Sequence, residues 1–234
     1  MKPLLLIIPT RNRPDNIEAL LHSFEETKTL CDVIFAIDDD DVNLNEYHAL
    51  TNHTLWRDNY HLSVNPRLGK GMAKPLNLIA RWHMDEYRHF AFIGDDHRPR
   101  TENWDSMFVQ LLDIEAPALA FGDDLIQGAN LPTAIAMSGD VVRALGGMVP
   151  DGFIHLYLDN FWKKLGEDLD SLYFVPSIIL EHLHPIAGKA EWDSGYLEVN
   201  QQEIYTADYK AFTAYLSSPD YQKLVKGLHD KATS

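Results

Sequence analysis

One cysteine, Cys31, stands in a chain of 234 residues. No disulfide can close within such a chain, and neither a thiolate zinc site nor a secreted disulfide framework is available to it, so a reducing cytoplasm is the expected setting. Positive charge is also scarce: 20 Lys and Arg against 35 Asp and Glu leave a formal net charge of −15. Phosphate backbones are held by clustered cations, so nucleic acid is not the expected main partner, although a local basic patch stays compatible with this balance. Long apolar runs are missing as well. The run LLLII follows a single lysine and is broken by Pro9, Arg11 and Arg13, too short for a signal-peptide core or a membrane span, so no integral membrane association is expected. Gly and Pro, 13 and 12 residues, are scattered and form no linker, repeat or low-complexity tract. With 45% hydrophobic and 24% charged residues, the composition is that of a globular protein, and one domain over residues 1–234 is expected.

What the chain does have is a series of apolar runs of strand length, each ending in a polar, turn-forming cluster: LLLIIPTRNRP, DVIFAIDDDD, HLSVNP, HFAFIGDDHRP and, more weakly, ALAFGDD. Buried strands with polar C-terminal ends are the pattern of an open, mostly parallel sheet. The stretches between them, NIEALLHSFEET, NEYHALTNHTLWRDN and KPLNLIARWHMDEY, repeat apolar residues at three and four and predict helices, the first with Asp15 or Asn16 as its N-cap. Alternating strand and helix reads as α/β. After about residue 125 the alternation loosens. SGDVVRALGGMVPDGFIHLYLDNFWKKLGE predicts a helix from Gly139 or Asp140, a Gly-Gly stop, a loop and a second helix over Leu158–Leu165; SLYFVPSIILEHLHP predicts one or two strands. In the C-terminal tail, Tyr205, Tyr209, Phe212 and Leu216 fall at helical spacing, predicting a helix that packs on the body or on a second copy.

In such sheets ligands bind outside the carboxyl ends of the strands, so the polar clusters mark the candidate site. In FIGDDHRP, Asp95 and Asp96 are neighbours whose side chains would alternate across a strand, and Gly94 permits the turn that brings both to one ligand. Such a pair suits a hard divalent cation, Mg²⁺ or Mn²⁺, with one carboxylate on the metal and the other on a ligand hydroxyl. An Asp capping the next turn is the alternative; it accounts for one Asp more easily than for two and a histidine. His182 and His184 lie two apart at the end of SIILEHLHP and project from one face if this is a strand. One of them would complete the site begun by Asp96, the alternative being a solvated strand end. Asp159 enters an apparent helix beside Tyr157, Phe161 and Trp162. Partial desolvation there suits a general base, and a first-turn Asp answering the helix dipole is the alternative. PTRNR and NPRLGKGMAKP suit an anionic ligand, the second through Arg67, Lys70 and Lys74 ahead of a helix N-terminus, although the P-loop spacing is absent.

Taken together and in this order, these segments resemble the nucleotide-sugar-dependent glycosyltransferases of the GT-A fold, closest to the large inverting family 2, over roughly residues 4 to 185. IIPTRNRPDNI resembles that family's opening strand and loop, implying nucleobase contacts at Pro9, Thr10, Arg11 and Arg13. DVIFAIDDDD resembles its second strand, implying Asp38, with Asp39 beside it, as reader of the base. RLGKGMAKPLNLIA is similar to its glycine-containing segment near the diphosphate, implying Arg67, Lys70 and Gly71. FIGDDHRP stands where the family carries its DXD motif, implying Asp96 on the metal and Asp95 on the ribose or sugar. LGGMVPDGFIHLYLDNFWKKLG resembles the acceptor-side segment and implies Asp159 as catalytic base, while EHLHP is similar to the stretch whose His closes the metal site. Two departures stand out: GDDH replaces DXD, which makes His97 a further candidate ligand, and Leu-Asp-Asn stands where the family has two acidic residues.

The resemblance implies an α/β fold of GT-A type, Rossmann-like, with a mostly parallel central sheet flanked by helices: a nucleotide-sugar-binding half over about 1–125, an acceptor-side half over about 126–200 and a helical tail over about 201–234. It implies a Mn²⁺- or Mg²⁺-dependent transfer of a sugar from a nucleotide-sugar, UDP-linked by analogy, to a hydroxyl with inversion of configuration. The acceptor classes it leaves open are a saccharide, a protein, a metabolite or a modified DNA base, the acidic charge weighing against the last. Association into a homo-oligomer through the tail is a further expectation. Two other readings stand beside this one. A nucleotidyltransferase of related fold shares the strand-end metal site but needs no acceptor base, and a noncatalytic nucleotide-binding protein needs neither.

Overall fold

The computed structural model describes residues 1–232. The strands are β1 (Lys2–Thr10), β2 (Asp32–Asp38), β3 (Tyr60–Asn65), β4 (Tyr87–Phe92), β5 (His97–Pro99), β6 (Leu119–Asp123), β7 (Ile135–Ser138) and β8 (Leu172–His182). They join in the order β3-β2-β1-β4-β7-β6-β8-β5. Pairing is parallel for β1 with β2 and β4, β2 with β3, and β6 with β8, and antiparallel around β7 and for β5 with β8. The chain leaves β1 toward β2 on one side and returns as β4 on the other. The switch point between β1 and β4, where ligands bind in open α/β sheets, therefore collects the loops after Thr10 and Phe92.

Alternation along β1 sorts its side chains to the two faces. Leu4, Leu6 and Ile8 join a core with helices α1 (Pro14–Glu26) and α4 (Trp104–Glu115), including Phe24, Trp104 and Phe108. Leu5 and Ile7 join the opposite core with α3 (Ala73–His83), α5 (Gly139–Leu145) and α6 (Leu158–Asp168), including Ile79, Val142 and Trp162. The tail folds as α7 (Ser194–Val199), α8 (Gln202–Leu216) and α9 (Pro219–Ala232). Its last helix buries Tyr221, Leu224 and Leu228 against the second core. Among the described residues no helix is long and apolar enough to cross a membrane.

Three local expectations are corrected. The first helix begins at Pro14, with Arg13 in the capping position, so neither Asp15 nor Asn16 is the N-cap. Proline presets the backbone angle for the first helical position, and Asp15 then answers the dipole from the first turn. The second predicted helix stops early, as α2 (Leu44–Leu50), because Thr51 turns its hydroxyl onto the His48 carbonyl at 2.8 Å. Short polar side chains compete in this way with helix propagation. Finally, His184 lies past the end of β8, which stops at His182. The elements not anticipated include α4, β5, β7 and α7. Helix α4 carries its signal in Trp104, Phe108 and Leu112, spaced by four, whereas the four residues of β7 are too few for a period to emerge.

Candidate active site

A cleft of about 270 Å³ opens at the switch point and is lined by residues from β1, β2, the loop after β4, the loop before α6, and α7. Its floor is the Asp95–Asp96 pair, and the chain turns so that the two carboxylates serve different partners. Asp95 accepts from the Thr10 hydroxyl at 2.7 Å and from Arg13 Nη1 at 2.9 Å. Asp96 faces His97 Nδ1 and His182 Nε2, each at 3.2 Å, and accepts from the Tyr196 hydroxyl at 2.7 Å. Gly94 is needed for this turn by space: a Cβ there would sit 2.5 Å from Asp96 Oδ1 and 3.0 Å from His97 Nδ1.

Register explains the histidines. Antiparallel pairing sets His97 of β5 directly opposite His182 of β8, and the two rings stack with centroids 4.1 Å apart. A break in register between Gly122 and Asp123 lets β8 leave β6 to make that pairing. One donor atom each from Asp96, His97 and His182 lies within 4.8 Å of the others. A carboxylate oxygen with two imidazole nitrogens suits Mn²⁺ or a similar divalent ion. Burial would raise the Asp96 carboxyl, but the adjoining imidazoles of His182 and His97 outweigh it and hold it well below the usual range. Burial raises Asp95 despite Arg13. His97 is lowered by burial and by the neighbouring His182. His184 is set apart from the trio: its Nδ1 accepts the Ile186 N–H at 3.2 Å, which leaves the ring's proton on Nε2.

The other anticipated residues also gather here. Pro9, Thr10, Arg11, Arg13, Asp38, Arg67, Gly71 and Asp159 all line the cleft. Arg11 bridges Asp38 at 3.0 Å and Asp40 at 2.5 Å, and Asp39 accepts the Arg67 backbone N–H at 3.2 Å. Gly71, in the left-handed region at φ 77°, lies against the loop before α6, where a Cβ would come 2.3 Å from the Ile154 carbonyl oxygen. Lys70 stands at the rim, donating to Gln201 at 2.9 Å.

Helix α7 and its N-cap residue Asp193 were not anticipated as part of the site, and their side chains meet the anticipated cations. Asp193 takes Arg13 in two bonds of 2.7 and 2.8 Å, Glu198 takes Arg67 at 2.8 Å, and Tyr196 lies under the Arg13 guanidinium at 4.1 Å. Burial works against the Arg13 charge, but Asp193 and Asp95 outweigh it and hold the guanidinium above its ordinary pKa.

Asp159, in the first turn of α6, is raised by burial, which exceeds the opposing bond from the Asn160 N–H. The loop that delivers it is held by a residue sequence reasoning missed. Asp208 of α8, fully buried, accepts the backbone N–H groups of Ile154, His155 and Leu156 at 2.7, 2.9 and 2.7 Å. Tyr157 follows in a left-handed conformation, φ 62°, its ring stacked on Phe212 at 5.6 Å. Asp208→Ala is expected to destabilise the protein by about 3 kcal/mol, since charged hydrogen bonds contribute roughly 1.5–3 kcal/mol each and buried N–H groups lose their partner. Chemical denaturation checks this; an unchanged midpoint would show that the loop holds itself.

The architecture is that of the GT-A glycosyltransferases. No family model matches the chain, and no curated protein does. Among solved structures, it is similar to the mannosyltransferase PcManGT from Pyrobaculum calidifontis in complex with GDP-Man and Mn²⁺, with a TM-score of 0.59 at 14% identity over 96% of this chain and 79% of that one. It is similar also to glucosyl-3-phosphoglycerate synthase from Mycobacterium tuberculosis in complex with Mn²⁺, UDP and phosphoglyceric acid, with a TM-score of 0.58 at 11% identity over 90% and 78% of the two chains. GalNAc-T7 with UDP, GalNAc and Mn²⁺ aligns with all of this chain and 55% of its own, at a TM-score of 0.65 and 12% identity.

Proposed function

We propose that the protein is a metal-dependent, inverting glycosyltransferase that moves a sugar from a nucleotide-sugar to a hydroxyl acceptor. The observation that carries this reading is the cluster of Asp96, His97 and His182 at the switch point, in one cleft with Arg67 and a half-buried Asp159. In this reading the stretch to about residue 125 binds the donor, and Pro9, Thr10, Arg11, Arg13 and Asp38 surround the nucleoside. Arg67, Lys70 and Gly71 border the diphosphate, and Asp95 holds the ribose or sugar. The solved structures of similar fold contain UDP or GDP-Man together with Mn²⁺, which supports a nucleotide-linked donor, UDP first.

Asp159 takes the proton of the acceptor hydroxyl as that oxygen attacks the anomeric carbon. The bond from that carbon to the diphosphate breaks on the opposite face, and Arg67 and Lys70 stabilise the charge that develops on the leaving group. Asp96, His97 and His182 are the residues that would hold a Mn²⁺ or Mg²⁺, which would supply Lewis-acid stabilisation of the same charge. His184, outside that trio, borders the site.

Thermal stabilisation by nucleotides and nucleotide-sugars, with and without Mn²⁺, tests the reading, because a ligand of the native state raises the melting temperature. A Mn²⁺-dependent shift with a nucleotide-sugar is expected, and shifts with nucleoside triphosphates alone would overturn it. The contacts of α7 add a prediction. Asp193 occupies Arg13 beside the nucleoside and Glu198 occupies Arg67 beside the diphosphate, so Asp193→Ala with Glu198→Ala is expected to tighten nucleoside diphosphate binding by roughly tenfold, a difference of about 1.4 kcal/mol. Calorimetric titration reads this directly; weaker binding would mean that the two acids position Arg13 and Arg67 for the donor.

A further inference from the structure

Behind the two histidines, on the side away from Asp96, lies a buried carboxylate that the proposed chemistry does not use. Asp124 is 2% exposed. Its Oδ1 accepts three backbone N–H groups, of Ile126 at 2.9 Å, Gln127 at 2.6 Å and Gly128 at 3.0 Å, so the carboxylate cannot rotate. Its Oδ2 accepts the Thr133 hydroxyl at 2.8 Å and stands 3.9 Å from His182 Nδ1. Its carbonyl also accepts the backbone N–H of His182 at 3.0 Å, fixing that residue's height on β8.

The polarity of this chain is determined at its end. An ionised carboxylate only accepts, so the Thr133 proton points to Asp124 and a lone pair of the hydroxyl is left for His97 Nε2, 3.4 Å away. That requires the proton of His97 on Nε2 and a lone pair on Nδ1, where the Gly94 N–H also points from 3.2 Å. His97 Nδ1 and Asp96 Oδ1 then face each other across 3.2 Å as two acceptors with no proton between them, an arrangement that calls for a cation. Asp124 reaches His182 through its charge: across 3.9 Å, beyond hydrogen-bond distance, the carboxylate favours the proton of that ring on the near nitrogen, Nδ1, and leaves Nε2 with a lone pair toward Asp96.

We propose that Asp124, acting directly on His182 and through Thr133 on His97, is the positioning residue that sets the tautomers of both imidazoles and so turns Asp96, His97 and His182 into a divalent-cation site. The inference rests on the metal-dependent reading above and extends it to two residues outside the metal's immediate contact. Carboxylate partners of ligating histidines fix the ring and its tautomer, and their loss typically costs about 10–100-fold in metal affinity.

The test compares the wild type with Thr133→Val, which keeps the shape and removes the hydroxyl, Thr133→Ser, which restores it, and Asp124→Asn, which keeps a carbonyl for the three N–H groups. Mn²⁺ affinity is read from the free-ion electron paramagnetic resonance signal, and imidazole tautomers are read in the metal-free proteins from long-range ¹H–¹⁵N correlations. Thr133→Val is expected to weaken Mn²⁺ binding by about tenfold and to lose the Nε2–H form of His97, with Thr133→Ser restoring both. Asp124→Asn should shift both rings and weaken binding by about 100-fold. Wild-type affinity and tautomers in Thr133→Val and Asp124→Asn would overturn this inference alone. A wild type that binds no Mn²⁺ would overturn the metal-dependent reading together with it.

Discussion

The Asp96→Asn protein is expected to remain folded and to lose Mn²⁺ affinity by at least about 100-fold, the upper range found when only an outer partner of a metal ligand is lost. Its kcat/KM for sugar transfer should fall by about 1,000-fold or more, a loss of about 4 kcal/mol of transition-state stabilisation. The reason is in the three groups that converge on this one carboxylate: His97, His182 and the Tyr196 hydroxyl. The amide has a single acceptor oxygen and no charge. Its nitrogen would donate toward whichever imidazole it faces, so the lone pairs there could no longer be shared with a cation. The neighbouring Asp95→Asn should behave differently. Asp95 is committed to Thr10 and Arg13, so its loss should weaken nucleotide-sugar binding more than Mn²⁺ binding. Parallel titrations with metal and with nucleotide separate the two carboxylates, and equal effects on both ligands would deny them separate roles.

Asp159→Asn is the second large effect. Donor and Mn²⁺ binding should stay near wild type, while kcat falls by about 100- to 10,000-fold, the usual contribution of a positioned general base. The pH profile carries an independent sign. Burial raises the Asp159 carboxyl above the ordinary carboxylate value. Only the ionised form accepts the acceptor's proton, so activity should climb as pH rises through that elevated value, leaving the enzyme weak where an exposed Asp would already be charged. The variant, with no carboxyl to titrate, should lose this acid limb. A variant with unreduced kcat, or one that keeps the limb, would remove Asp159 from the chemistry.

Much of this was legible in the sequence because β1, β2 and β4 are buried runs that end in polar residues. Leu4–Ile8, Val33–Ile37 and Phe90–Ile93 are all buried, and burial on both faces leaves an unbroken apolar signal. The carboxylates at their ends, and the Gly94 turn, could be read from position alone. What stayed hidden depends on partners far apart in the chain. The contact of His182 with Asp96 spans 86 residues and that of Tyr196 spans 100. The pairing of β5 with β8 that brings the histidines together involves three residues on one side, too few for any period to show. Asp208 looked like one more polar position on an amphipathic helix. Only the packing of α8 against the loop before α6 reveals that it holds the segment on which Asp159 is presented. Asp193, Tyr196 and Glu198 sit in a stretch whose composition carries no motif, and they acquire meaning only from the cations they meet.

The most direct measurement is nucleoside diphosphate release from UDP- and GDP-linked sugars by the purified protein with Mn²⁺ and a mixed pool of saccharide acceptors, the anomeric configuration of any glycoside being read by NMR. Mn²⁺-dependent release with a product of inverted configuration, abolished by a chelator and by Asp96→Asn, is the expected result. Binding of a nucleotide-sugar and Mn²⁺ without turnover, or a product that keeps the donor's configuration, would contradict it.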